Sequence, residues 1–143
     1  MKNIENDVPF VEKNTDIAFV LSTLNKKNHV WVVDNQETLH VIGVITKSDT
    51  LSLFSPPYIP EQSFDKPTLQ SLQYGLSITA EEIMSKNPIK ASIEEKVKDI
   101  IIIMKQHKIK QIPVVDENDK LLGEITVHDF IEKYDKEITK NTY

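Results

Sequence analysis

The sequence predicts an α+β fold in which one unit, ordered β-α-β-β-α, occurs twice, the two pseudo-symmetric copies packing through their sheets into one module. Three observations carry this. The blocks W-V-V-D and P-V-V-D set Val33 and Val115 at an offset of 82. The blocks G-V-I-T-K-S-D-T and G-E-I-T-V-H-D-F set Gly43 and Gly123 at an offset of 80, and Asp49 answers Asp129 at the same spacing. Upstream, Leu21 and Leu24 answer Ile101 and Met104, again at 80. Two loop-length changes therefore cancel around a kept framework, the mark of an internal repeat.

In the first copy a helix is expected from about Thr15, a strand from His29 to Val33, a turn at Asp34-Asn35, a strand from Leu39 to Ile45 and a helix from about Thr46. In the second, Ser92-Ile93-Glu94-Glu95 reads as a capping box that opens a helix. Val97, Ile100, Ile101 and Met104 recur there at helical spacing, which predicts one buried face, and Ile102 and Ile103 widen it. Gln111 to Val115 is a short β-branched strand, Asp116 to Asp119 a turn, Leu121 to Ile125 the returning strand, and Thr126 the start of a closing helix. Each copy, at roughly 50 residues, is too small to be stable alone, so two facing copies make physical sense.

Between the copies, Ser52 to Gly75 is rich in proline and reads as a linker, with a short helix expected at Thr68 to Tyr74. Thr79-Ala80-Glu81-Glu82 is a further capping box, stapled by Ile78 and Ile83, and leads to Asn87-Pro88 where the second copy begins. The expected division is a first repeat over 7–55, a linker over 56–78, a second repeat over 79–136 and a tail over 137–143.

Composition narrows the function. The chain has 143 residues, 39% hydrophobic and 27% charged, an ordinary globular balance. Its longest unbroken apolar run, Ile100 to Met104, is far short of the roughly 20 residues that span a bilayer. No apolar segment follows the N-terminus and no cysteine occurs, which together predict a cytoplasmic home without membrane contact. A formal charge of −5 argues against nucleic acid as a partner. All 17 basic residues are lysine, so an anion has no guanidinium fork to meet it. The cluster Lys105, His107, Lys108 and Lys110 is read as a solvated helix end, where cations offset the dipole.

Thr-x-x-Asp is itself a helix N-terminal signal, with Thr46 or Thr126 as cap and Asp49 or Asp129 as the acid three residues on. A cap needs no glycine upstream, however, and two of the three glycines stand at equivalent places before these threonines. Glycine within a strand permits a bulge or a close approach. The turn's chemistry also suits a ligand. Helix-start N–H groups and a threonine hydroxyl can meet a phosphate, and a carboxylate one turn on can accept from a ribose diol. Capping and binding are compatible, because the cap holds the carboxylate in place.

A helix, then P-V-V-D, then G-x-I-T-x-x-D and a helix, twice over, resembles a tandem pair of cystathionine β-synthase-type (CBS) domains, a Bateman module. The resemblance is specific in the second copy, where Asn87-Pro88-Ile89, Ile112 to Asp116 and Gly123 to Phe130 match in order. It is looser in the first, where Trp31 stands in place of the proline and the helix-to-strand loop is short. The resemblance implies clefts between the repeats, a homodimer, and a regulatory adenosine-containing ligand: AMP, ADP, ATP or S-adenosylmethionine. It implies that Asp129 and Asp49 hold ribose hydroxyls and that Thr126 and Thr46 contact phosphate. By the same resemblance Gln111, Ile112 and Pro113, and in the first copy His29, Val30 and Trp31, border the adenine slot, which Ile89 and Ala91 complete in the second copy. Lys47 and His128, inside the two motifs, are the candidate cations for phosphate. Without arginine a monophosphate such as AMP is favoured over a triphosphate, and the second site is favoured over the first. Trp31 is a strand tryptophan for which core, interface and base stacking all stay open.

The expected function is thus a regulatory nucleotide sensor with no resident cofactor beyond that ligand. The alternative is a structural dimerisation or partner-docking module in which Thr-x-x-Asp is only a cap. No catalytic residues are expected, for the chain has no P-loop and no nucleophile elbow. No metal site is expected either, since His29, His40, His107 and His128 lack ligand spacing. Whatever is regulated is expected to be a separate effector protein or to lie outside this chain.

Overall fold

The β-branched blocks form the strands, and the same hairpin is built twice. The computed structural model describes residues 8–54 and 78–142. The expected linker and the short helix at 68–74 lie outside those residues. One compact unit is Pro9–Pro88 and the other holds Ile89–Tyr143.

In the first unit, β1 (Phe10–Glu12) leads through α1 (Ile17–Leu24) to β2 (His29–Val33), which lies parallel to β1. Strand β3 (Val41–Thr46) returns antiparallel to β2, and a 3-10 helix, Lys47–Phe54, follows it. Beyond the undescribed stretch come α2 (Ala80–Ile83) and β4 (Ser85–Lys86), which pairs antiparallel with β3 and completes the order β1-β2-β3-β4. The second unit repeats the plan. Strand β5 (Ala91–Ser92) leads through α3 (Val97–His107) to a parallel β6 (Gln111–Val115), an antiparallel β7 (Leu121–Thr126) and α4 (Val127–Thr142). The α+β expectation and its twofold repetition hold.

The two hairpins agree residue for residue. His29 faces Thr46 and Val32 faces Gly43, as Gln111 faces Thr126 and Val114 faces Gly123. Both registers slip at the same place, leaving Ile42 and Leu122 as the extra residues of a bulge. Positions 41–50 and 121–130 share one burial sequence throughout. The aspartates of the V-V-D blocks organise both turns. Asp116 Oδ1 accepts the N–H groups of Asn118 (2.8 Å) and Lys120 (3.0 Å). Asp34 Oδ1 accepts from the Asn35 N–H (2.7 Å), the Thr38 hydroxyl (2.6 Å) and the His40 N–H (3.0 Å), spanning a longer turn. Partial burial alone would raise the Asp34 pKa. These hydrogen bonds, with the His40 imidazole alongside, outweigh it and hold the carboxyl below its ordinary value.

Each unit has its own core. In the first, Ile17, Val20 and Leu24 of α1 pack on Val30, Val32 and Ile45 of the sheet, joined by Ile78 and Ala80. The expected staple is present, with Ile83 also packed against this core. In the second, Ile100 and Met104 of α3 pack on Ala91, Ile112, Val114 and Ile125. Gly43 serves a close approach: a Cβ there would stand 2.7 Å from Met84 Cγ and 3.0 Å from its Cβ, with Met84 Sδ closer still. Neither Gly43 nor Gly123 takes a positive φ, so freedom of φ is not what these positions use.

Four expectations are corrected. The first helix begins at Ile17 rather than Thr15, with Asp16 at its N-cap. Strand β3 begins at Val41, because Leu39 takes a positive φ of 51° in the turn. Only half of the Ser92–Glu95 box forms: the Ser92 N–H donates to Glu95 Oε1 at 2.9 Å, but Ser92 Oγ accepts from the Glu94 N–H and the Glu95 N–H goes to the Ser92 carbonyl, which closes a turn. The Ile93 N–H is held by the Val115 carbonyl, and the helix starts at Val97. Finally, Val97, Ile101 and Ile102 (50% exposed) lie outside the core, which α3 meets through Ile100, Ile103 and Met104. The basic cluster does close this helix: Lys105 and His107 occupy its last turn and Lys108 caps it in the left-handed conformation.

The closing helices differ. In the first unit the Thr50 hydroxyl donates to the Lys47 carbonyl (2.6 Å) and the Ser52 hydroxyl to the Asp49 carbonyl (3.0 Å). Such local side-chain bonds compete with an α-helical ladder, and the segment stays 3-10. Residues 127–137 carry no serine or threonine, and α4 runs for 16 residues. Among the described residues no helix is long and apolar enough to cross a membrane.

Candidate functional site

Strand β7 delivers Thr126 to the start of α4, where the Val127 N–H donates to the Lys110 carbonyl at 2.9 Å and ties the helix start to β6. Thr126 and Asp129 then cap each other. The Thr126 N–H donates to Asp129 Oδ2 at 2.9 Å, and the Asp129 N–H donates to Thr126 Oγ1 at 3.1 Å. This is a capping box, with the carboxylate held rigidly one turn into the helix. The box leaves two functions over. Thr126 Oγ1 acts here as acceptor and keeps its proton to donate, and Asp129 Oδ1 has no hydrogen bond among the described residues. Both residues are half-buried.

The first motif has the same sequence logic but a different hydrogen-bond economy. Asp49 Oδ2 accepts both the Thr46 N–H (2.8 Å) and the Thr46 hydroxyl (3.1 Å). The Thr46 oxygen lies 3.0 Å from Ser48 Oγ. The other carboxylate oxygen, Asp49 Oδ1, receives the Ser85 hydroxyl from β4 at 3.5 Å. The Thr46 hydroxyl and Asp49 Oδ2 are thus engaged with each other, and Asp49 Oδ1 has only the long contact to Ser85.

Around each pair the hairpin gathers some of the expected residues and turns others away. Gln111, half-buried, stands directly across from Thr126, and His29, buried, across from Thr46. Pro113 is buried on the same strand as Gln111, two residues on. Ile112, Val30 and Ala91 point into the cores of their own units, so their backbones are what those positions can offer a ligand. Ile89 is half-buried against the second core. The two candidate cations are exposed. His128 is 79% exposed, with Nε2 3.5 Å from Glu132 Oε2, and Lys47 makes no ion pair among the described residues. Trp31 is 1% exposed and meets the His29 ring edge-on at 5.2 Å, which favours its core role over stacking on a base. Sequence reasoning missed Ser85. It lies 36 residues from Asp49, on a two-residue strand with no periodic signal. Among the described residues no cluster of three or more histidines or acids could hold a metal ion.

The sequence profile of the CBS domain matches residues 2–55 and 80–136. The chain belongs to the CBS domain family. As a CBS protein it is 30% identical over 118 residues to homoserine O-acetyltransferase of Methanococcus vannielii, covering 81% of this chain and 20% of that enzyme. The chain spans about a third or less of the first curated relatives it matches. Its fold is similar to the CBS domain of a CBS domain containing membrane protein from Sphaerobacter thermophilus, with a TM-score of 0.69 and 27% identity over 90% of this chain and 83% of that one. It is also similar to the CBS domain pair of protein MJ0100, solved in complex with 5′-methylthioadenosine and S-adenosyl-L-methionine. There the TM-score is 0.62 at 26% identity, covering 90% of this chain and 93% of that one.

Proposed function

We propose that the chain is a regulatory module that binds an adenosine-containing ligand at the Thr126–Asp129 motif, with AMP favoured and ADP, ATP or S-adenosylmethionine as the other members of the class. The observation that carries this is the left-over pair in the second capping box: a hydroxyl proton on Thr126 and an acceptor oxygen on Asp129. The carboxylate oxygen suits a ribose hydroxyl. The threonine proton and the N–H groups at the start of a 16-residue helix suit a phosphate or another electron-rich group. Likeness to a domain pair that holds two adenosine compounds supports the ligand class. The absence of arginine supports a ligand of low charge. Its role is binding and not catalysis, and by preferring one arrangement the ligand would shift the population of the module or of its contacts with an effector protein.

The test is thermal melting with AMP, ADP, ATP and S-adenosylmethionine. A ligand at about a hundred times its dissociation constant stabilises by about 2.7 kcal/mol. AMP or S-adenosylmethionine should raise the melting temperature, and Asp129→Ala should remove the rise. No rise with any of the four at millimolar concentration would defeat the reading.

A second role is favoured by a separate observation. Val127, Ile131, Tyr134 and Ile138 stand exposed along α4 at alternating spacings of four and three. Beside them a groove is lined by Ile101, Phe130, Lys133, Tyr134 and Glu137. That spacing is the seam of helix–helix association, and it supports a homodimer through this face. Ligand binding and dimer formation are compatible roles.

A further inference from the structure

The parallel ladders β1–β2 and β5–β6 agree at one end and differ at the other. At the shared end the Lys13 N–H donates to the Val33 carbonyl and the Ile93 N–H to the Val115 carbonyl, each at 2.9 Å. At the other end Phe10 pairs with Trp31, and the Trp31 N–H donates to the Pro9 carbonyl at 2.9 Å. The equivalent residues of the second unit are Ile89 and Pro113, at the same offsets of 80 and 82. Proline has no N–H to give. The β5–β6 pairing accordingly joins Ala91 with Val114 and Ser92 with Val115 and stops there. The Ile89 carbonyl accepts no hydrogen bond among the described residues.

Strand β6 is the central one in the order β5-β6-β7, a place where proline is rare because it forfeits a ladder bond. Ile89 is half-buried, and backbone carbonyls away from water are nearly always paired. The spare acceptor also lies at the functional end of the sheet. Ile89 precedes β5, Gln111 opens β6 and Thr126 ends β7, and Gln111 faces Thr126. Two strand spacings, about 10 Å, separate Ile89 from Thr126. A nucleoside has that order of length from its base amine to its ribose hydroxyls. Resting on the reading proposed above, we infer that Pro113 is a specificity-determining residue: by withholding an N–H it leaves the Ile89 carbonyl to accept from the exocyclic amine of a 6-aminopurine. A purine without that amine leaves the carbonyl unpaired, and a 6-oxopurine sets oxygen against oxygen. An N–H at position 113 would close the ladder and draw the carbonyl into the sheet, as Trp31 does with Pro9.

Isothermal titration of the full chain with AMP and with purine riboside 5′-monophosphate, which lacks only the amine, tests this. The wild type should prefer AMP by about tenfold, the effect of one hydrogen bond whose loss strands an acceptor. Pro113→Ala restores the N–H and should narrow that preference to less than about threefold. Pro113 is buried, so Pro113→Val, which fills more of the space and also carries an N–H, is measured beside it and should narrow the preference likewise. The ratio of the two affinities is the readout, because lost contact with the proline ring weakens both nucleotides together. Equal affinities on the wild type, or a full preference for AMP in either variant with a cooperative melting transition, would overturn the role of Pro113 and leave the reading of the Thr126–Asp129 motif standing. Binding of neither nucleotide to the wild type would overturn that reading, and this inference with it.

Discussion

Asp129 and Thr126 exchange hydrogen bonds in both directions, at 2.9 and 3.1 Å, whereas Asp49 and Thr46 exchange them in one direction only. In the second unit the hydroxyl accepts a hydrogen bond from the Asp129 N–H, and in the first it donates one to the carboxylate. Two motifs that read the same therefore present different faces to a ligand.

Asp129→Ala and Asp49→Ala should each lower stability by about 0.5–2 kcal/mol, the usual cost of removing a helix cap. Urea denaturation without ligand measures that cost. Only Asp129→Ala should also erase the ligand-induced rise in melting temperature, and the opposite assignment would reverse the ranking of the two motifs.

Gly43→Ala should destabilise by about 1–3 kcal/mol, the range for overpacking, because the new methyl group meets Met84 at Cβ and Cγ and not only at its flexible end. Met84→Ala in the same chain should recover part of the loss. A double-mutant cycle by chemical denaturation reads the coupling, and additive effects would show that the glycine serves something else.

Placing lysine at both Ile131 and Tyr134 should convert a dimer to a monomer in analytical ultracentrifugation while leaving the melting temperature of the isolated chain nearly unchanged, since both side chains are exposed. An unaltered sedimentation coefficient would move the dimer contact away from α4.

Asp34 predicts a pH dependence whose sign follows from its lowered pKa. The folded state holds the carboxylate charged more firmly than the unfolded chain, in which it titrates near 4 (about 3.9). Its stabilising effect is therefore complete above that value and fades as pH falls through the lower folded-state value. The stability difference between wild type and Asp34→Ala should stay level from pH 6 to about pH 4 and narrow below it. Denaturation curves at successive pH values measure the gap, and a gap that ignores pH would place the effect of Asp34 in the turn's geometry alone.

Where local pattern and tertiary packing agree, the sequence was a sufficient guide. The β-branched blocks gave β2 and β6 their observed ends, the Thr126–Asp129 box and the Ile78–Ile83 staple formed as read, and one arm of the box formed at Thr46–Asp49. It failed where several faces looked equal or where the partner was distant. Four consecutive isoleucines mark every side of α3 alike, so only packing could show that Ile100 and Ile103 turn inward and Ile101 and Ile102 do not. Ser92 and Glu95 make one arm of the box, but the hold of Val115 on Ile93 prolongs the extended ladder and delays the helix. The Ser85–Asp49 contact is invisible to any window of local sequence, because it depends on β4 pairing with β3.

The first unit is also closed by chain from beyond the 55–77 stretch. The Ile17 N–H donates to the Ile78 carbonyl, the N–H groups of Ala80 and Glu81 donate to the carbonyls of Thr15 and Lys13, and the Asn87 N–H donates to the Ile42 carbonyl. Expressing the second repeat alone from residue 79 would thus carry off a strand and a staple that belong to its neighbour. The later boundary between the units falls at the Pro88–Ile89 bond, ten residues beyond Ile78. A protease that nicks the chain within 55–77 would leave two fragments still bound together, and a gel under native conditions would show a single species where a denaturing gel shows two.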